Sequence, residues 1–176
     1  MLRKLLIALC ATTTLSGCTG LDVEHYKDEK PRFVLEHYFD GHIEAWGMFQ
    51  KRNGEVVKRF TVDIDAQWQG NKGVLDEHFI YSDGTTQQRI WTITKHAAGH
   101  YSGTADDVIG EAQGRSSGNA LQWLYTLRLP VDDKIYEVQF DDWMYLMDGS
   151  VLMNRSAMKK FGFTVGEVTL FFRKKS

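Results

Sequence analysis

Val56-Val57-Lys58-Arg59-Phe60-Thr61-Val62-Asp63-Ile64-Asp65-Ala66-Gln67-Trp68 decides the fold class. Val56, Phe60, Val62, Ile64, Ala66 and Trp68 fall on one side of a period-two repeat, with Lys58 the single polar interruption. Val57, Arg59, Thr61, Asp63, Asp65 and Gln67 fall on the other. A strand with one face on a core and one in water gives this alternation, because successive side chains point to opposite faces of a sheet. Leu121, Trp123, Tyr125, Leu127 and Leu129 repeat it against Gln122, Thr126 and Arg128, with Leu124 the exception.

Outward from these two segments, turn signals recur at hairpin intervals: Asp40-Gly41, Asn53-Gly54, Gly70-Asn71, Asp83-Gly84, Ala98-Gly99, Gly118-Asn119, Asp132-Asp133 and Asp148-Gly149. They divide the chain into strands at about 33–39, 42–50, 55–68, 73–81, 86–96, 99–106, 108–115, 120–130, 134–147 and 150–172, the last split near Gly162. No segment carries a helical stripe of useful length, and Pro is confined to Pro31 and Pro130. About ten sequential antiparallel strands predict an all-β, up-and-down, lipocalin-like barrel, because closure removes exposed sheet edges. A β-sandwich is the alternative. Barrels of this size can hold a small ligand inside.

The N-terminus reads MLRKLLIALCATTTLSGCTG. Arg3 and Lys4 precede a short apolar run, Leu5 to Ala11, far below the ~20 residues that span a bilayer, so it reads as an export signal. Leu15-Ser16-Gly17-Cys18 matches the lipobox, [LVI]-[ASTVI]-[GAS]-C, at every position. In signals of that kind the Cys is acylated and cleavage falls just before it. The expected organisation is a signal peptide over 1–17, a lipidated tether over 18–31 and one barrel domain over 32–176. Thr19 is not the Asp that retains such lipoproteins at the inner membrane. The expected place is therefore the outer membrane, lipid-anchored at Cys18 (palmitate among the chains) and facing the periplasm. Cys10 leaves with the signal and Cys18 is consumed, so thiol catalysis and Cys-based metal sites are excluded on this reading.

Composition is globular, with 43% hydrophobic and 25% charged residues. A formal charge of −2 without a basic block argues against nucleic acid as a partner. No nucleophile elbow, P-loop or dinucleotide fingerprint is present, and no cofactor is expected. Among the six histidines, His96 and His100 stand four apart, but across the Ala98-Gly99 turn signal and not on a helical stripe, so no metal site is expected. Asp106-Asp107 with Glu111 lacks calcium-loop spacing and reads as a solvated turn.

A dense run closes the chain: Phe140-Asp141-Asp142-Trp143-Met144-Tyr145-Leu146, Met153-Asn154-Arg155-Ser156, Lys160-Phe161-Gly162 and Val165-Gly166-Glu167-Val168-Thr169-Leu170-Phe171-Phe172. Upstream stand Tyr38-Phe39-Asp40-Gly41, Trp46-Gly47, Tyr81-Ser82-Asp83-Gly84, Arg89-Ile90-Trp91 and Asp106-Asp107-Val108-Ile109-Gly110. Together these resemble the DUF3833 family of bacterial lipoproteins over almost all of the chain after Cys18. The resemblance implies a lipobox protein with a calycin-type barrel, often encoded near enzymes that modify fatty acyl chains. It supplies no catalytic residues. The lipocalin G-x-W signature is absent, with Ala45-Trp46-Gly47 in its place.

Within the strand 134–147, Asp142 shares a face with Tyr136, Val138, Phe140, Met144 and Leu146. A buried carboxylate needs a cation or donors. Arg155, in phase with Val151 and Met153 one strand on, and Arg89, in phase with Trp91 and Ile93, are the candidate cations. The site expected is a polar cluster of Asp142, Asn154, Arg155 and Arg89 in an apolar barrel walled by Trp91, Trp123, Tyr125 and Trp143. Walls of that kind suit a hydrophobic chain, and an Arg suits a carboxylate or phosphate head. The same cluster also reads as a structural ion pair, and the aromatics as plain core. The function expected is binding or carriage of a fatty acid or lipid acyl chain. The alternatives are a lipid-modifying enzyme using Asp142 as acid or base, and an assembly protein with a filled core. Oligomeric state is not legible.

Overall fold

The computed structural model describes residues 20–97, 99–131 and 134–175. Ten antiparallel strands close into a barrel in sequence order, β10 returning to pair with β1. They are β1 Gly41–Lys51, β2 Val56–Gln69, β3 Lys72–Tyr81, β4 Thr86–Lys95, β5 His100–Thr104, β6 Ala112–Ser117, β7 Ala120–Val131, β8 Lys134–Leu146, β9 Val151–Lys160 and β10 Phe163–Lys174. Each strand pairs with its chain neighbour, which is an up-and-down, lipocalin-like barrel and rules out the sandwich.

β2 behaves as its pattern requires along its middle, whereas Val56, on the apolar side of the pattern, is 46% exposed. Phe60, Val62, Ile64 and Ala66 are buried inside, and Thr61, Asp63, Asp65 and Gln67 are exposed. Gly103 and Gly114 on the inner wall leave room for the Trp123 ring, since a Cβ on Gly114 would lie 2.3 Å from it.

Three elements depart from the expectation. Residues 33–39 contribute a short helix, α1 Leu35–Tyr38, not a strand. Phe33, Leu35, Tyr38 and Phe39 are buried together and plug one end of the barrel. Trp68 of β2 donates to the Phe39 carbonyl at 2.6 Å, Tyr101 of β5 to Glu36 at 2.7 Å and Tyr38 to the Ser150 carbonyl at 2.8 Å. Lys95 of β4 also pairs with Glu36, so the plug is tied to several strands. The count of ten stands because the C-terminal segment divides at Phe161-Gly162 into β9 and β10.

The second departure is the length of β5 and β6, which stop at Thr104 and begin at Ala112. The loop between them spans the gap left between β4 and β7. It is fastened to β7 by a Val108–Leu127 bridge, by Ile109 N–H donating to the Thr126 carbonyl at 2.8 Å and by Arg128 N–H donating to the Asp107 carbonyl at 2.9 Å. The third is the stretch read as a tether. Val23–Tyr26 form a 3-10 helix, Val23 is buried, and the Tyr26 ring meets Trp143 and Tyr145 on the outer wall. The lipobox and Cys18 lie outside the described residues.

The end opposite α1 has no comparable plug among the described residues. Its β9–β10 turn holds Phe161 at φ 50°, 88% exposed.

Candidate functional site

The barrel interior encloses a cavity of about 150 Å³. A preformed apolar cavity of that size takes a group about as large as benzene. One wall is a continuous aromatic surface made by β4, β7 and β8. Trp91 meets Trp123 edge-on at 5.7 Å and Tyr125 edge-on at 5.5 Å, and Tyr125 stacks on Phe140 at 5.1 Å. Phe60 and Phe79 face it from β2 and β3.

Into this apolar chamber the strands bring one connected set of polar side chains. Arg89, in phase with Trp91 on β4, points inward at the place where β5 does not reach. Its Nε lies 3.0 Å from each carboxylate oxygen of Asp107, and a terminal nitrogen donates to Oδ2 at 2.6 Å. The other terminal nitrogen reaches Glu77 of β3 at 3.8 Å, beyond hydrogen-bond distance. The Arg89 guanidinium also lies 5.4 Å over the Phe79 ring. Across the chamber, Tyr125 donates to Asp142 Oδ2 at 3.1 Å and Ser156 donates to Asp142 Oδ1. Asn154, one inward position before Ser156, is buried with its Oδ1 unpartnered.

Burial dominates the electrostatics. It pushes the Glu77 carboxyl up to about 7, with Arg89 pulling the other way and Asp107 and Asp142 adding to the rise. It pushes Asp142 up to about 6 against the hydrogen bonds of Ser156 and Tyr125. Burial also works against the charge on Arg89, but the Asp107 and Glu77 carboxylates overcome it and hold the guanidinium more firmly protonated than usual. Tyr125 is driven well above its ordinary range, first by burial and then by Asp142.

The site residues expected from sequence divide cleanly. Arg89, Asp142, Asn154, Trp91, Trp123 and Tyr125 all line the cavity. Arg155 and Trp143 do not. Arg155 is on the outer face of β9 with its side chain 70% exposed, and its NH2 donates to Glu167 of β10 at 2.8 Å. A guanidinium there cannot reach a head group inside the barrel. Trp143 is on the outer face of β8, stacked on Tyr145 at 6.4 Å beneath Tyr26. Both assignments are corrected. Asp107 is not part of a solvated turn, because it is the partner of Arg89. Glu77 and Ser156 are additions that the sequence did not single out. Glu77 had a signal, since it lies in phase between Leu75 and Phe79 on β3.

Outside the barrel, His42 Nδ1 lies 3.3 Å from Asp63 and 3.1 Å from Asp65. All three are accessible to water, and the contact is an ordinary surface pair of a histidine with carboxylates.

Fold and site together define a closed β-barrel protein with an apolar chamber and a buried acidic cluster. The chain belongs to the DUF3833 family, whose model, described as "Protein of unknown function (DUF3833)", matches residues 12–174. No curated protein matches the sequence. The barrel is similar to the solved structure of the S-type phycobiliprotein lyase CPES from Guillardia theta. The TM-score is 0.55 at 9% identity, covering 82% of this chain and 95% of that one, a likeness of fold.

Proposed function

We propose that this protein is an outer-membrane lipoprotein, anchored through acylated Cys18, whose periplasmic barrel binds or carries a hydrophobic ligand with an acyl chain. A fatty acid or a phospholipid-derived chain is the class expected from sequence. The observation that carries the binding role is the cavity itself, walled by Trp91, Trp123, Tyr125 and Phe140 and plugged at one end by α1. Each methylene moved from water into such a wall contributes about 0.8 kcal/mol. The cavity takes only part of a long chain, so the rest leaves through the unplugged end. The solid-core alternative has no place for this space. Likeness to a phycobiliprotein lyase supports the barrel as a frame and carries no ligand with it.

The enzymatic alternative has one observation in its favour, the Asp142 carboxyl raised to about 6 by burial. Tyr125 and Ser156 nevertheless occupy both of its oxygens, which suits a structural carboxylate better than a free acid or base.

Native mass spectrometry of the full chain purified from cells tests the binding role. The expected result is an adduct released by organic extraction as a lipid. A clean apo mass, unshifted by added amphiphiles, contradicts it. Labelling with radioactive palmitate tests the anchor: label is expected on the wild type and absent from Cys18→Ser, and equal labelling of both contradicts it.

A further inference from the structure

The head group expected from sequence is an anion held by Arg, and the charges inside the barrel do not suit one. Among the described residues lining the cavity, Arg89 is the sole cation, and Asp107 already takes it through Nε and a terminal nitrogen. Glu77 and Asp142 line the same cavity as two further carboxyl groups. One guanidinium therefore faces three acidic side chains. Asn154 adds a buried amide oxygen without a partner. An incoming carboxylate or phosphate would meet acceptors and like charge in a low-dielectric chamber, where repulsion is weakly screened. An incoming ammonium would supply positive charge among the carboxyl groups and a donor to the unpartnered Asn154 amide oxygen.

We propose that the chamber selects an amphiphile whose head is an ammonium, held by Glu77 and the Asn154 amide oxygen with the Asp142 carboxylate adding its charge nearby, and with its alkyl chain along the aromatic wall. This rests on the reading of the barrel as a binder of chain-bearing ligands and specifies the head group of that ligand. The groups that bear on its pH dependence are Glu77 and Tyr81 from β3, Arg89 from β4, Asp107 from the β5–β6 loop, Tyr125 from β7 and Asp142 from β8. Of these, Glu77 and Asp142 change charge between pH 5 and 8. Ammonium binding therefore strengthens as pH rises through that window.

The test titrates the full chain with dodecylamine, laurate and dodecanol, read by tryptophan fluorescence at pH 8. Trp91 and Trp123 on the cavity wall report the interior. Dodecylamine is expected to bind at least about tenfold more tightly than laurate. Glu77→Gln and Asp142→Asn, each nearly isosteric, are expected to erase about tenfold of the amine affinity and leave dodecanol unchanged. Lysophosphatidylethanolamine, whose ammonium stands beside a phosphate, distinguishes the source: binding close to that of dodecylamine points to a phospholipid-derived ligand, and preference for the simple amine points to a long-chain amine.

Laurate binding as tightly as the amine, or more tightly, overturns the head-group proposal and leaves the barrel a binder of chains. Amine affinity that neither carboxyl variant lowers overturns the assignment to these residues. Failure of all three probes to bind overturns the binding role itself. The wild-type comparison needs no variant to fold.

Discussion

Arg89 and Asp107 join β4 to the β5–β6 loop where no backbone ladder does, through contacts of 2.6 to 3.0 Å from two guanidinium nitrogens to one carboxylate. The pair is mostly buried, with the Arg89 side chain 14% exposed. It closes the barrel wall and at the same time sets the charge balance of the chamber.

Removing one partner of a buried pair leaves the other as an uncompensated charge, which costs about 3–5 kcal/mol. Arg89→Ala is therefore expected to destabilise the fold by about that much in urea denaturation, because Asp107 and Glu77 both lose their cation. Arg89→Ala combined with Asp107→Ala is expected to recover part of the loss. A double variant as unstable as the sum of the two singles would show that the residues do not act as a pair.

Stability should fall as pH rises. Glu77 holds its proton up to about pH 7 in the folded chain, whereas an unfolded Glu releases it near 4.3. Between those values the folded state binds more protons than the unfolded, so the slope of stability against pH is negative. Asp142 acts in the same direction up to about pH 6. Ionising Glu77 inside the barrel costs a few kcal/mol, since each tenfold change in proton affinity is worth about 1.4 kcal/mol. The melting temperature is expected to drop from pH 5 to pH 8, and Glu77→Gln is expected to remove much of that drop. A flat profile in the wild type would contradict the burial of both carboxyls.

Arg155→Ala is expected to be close to silent. Its partner Glu167 is on the outer surface, and exposed pairs contribute about 0–1 kcal/mol. Ligand affinity should be unchanged, and a large loss would return Arg155 to the site.

Arg155 looks like an inward residue in the sequence for a definite physical reason. Period-two phasing assigns the apolar partners of a residue to the core, and Arg155 is in phase with Val151 and Met153. β9 inverts the rule near the site. Ser156 faces inward and donates to Asp142, Asn154 shares that inward phase, and Met153 faces out. β8 keeps its normal phase, so Asp142 is legible as an inward carboxylate, and the same phase puts Trp143 outside. β2 is legible along its middle, where water lies on one side and apolar core on the other, and not at Val56, which is exposed where the strand starts. Glu77 is legible by phase between Leu75 and Phe79. Asp107 is not, since its role comes from a loop crossing a gap between strands that are distant in sequence. The helix at 35–38 escapes because four residues give too short a pattern to separate from a strand.

At the β9–β10 turn, Phe161 adopts a left-handed backbone conformation that favours Asn or Gly. Phe161→Asn is expected to stabilise the fold by about 0.5–1 kcal/mol, measured by thermal denaturation. A loss of stability would show that the exposed ring makes contacts that matter to the fold.

Everything proposed for the ligand requires its chain to lie inside the barrel. Outside, Trp46 and Phe171 line an apolar groove that could also take a chain. A crystal structure with a chain-brominated dodecylamine distinguishes the two places by the anomalous signal of bromine. Bromine is expected between Trp91 and Phe140 within the barrel. Bromine along Trp46 and Phe171, with the chamber empty, would contradict the internal site.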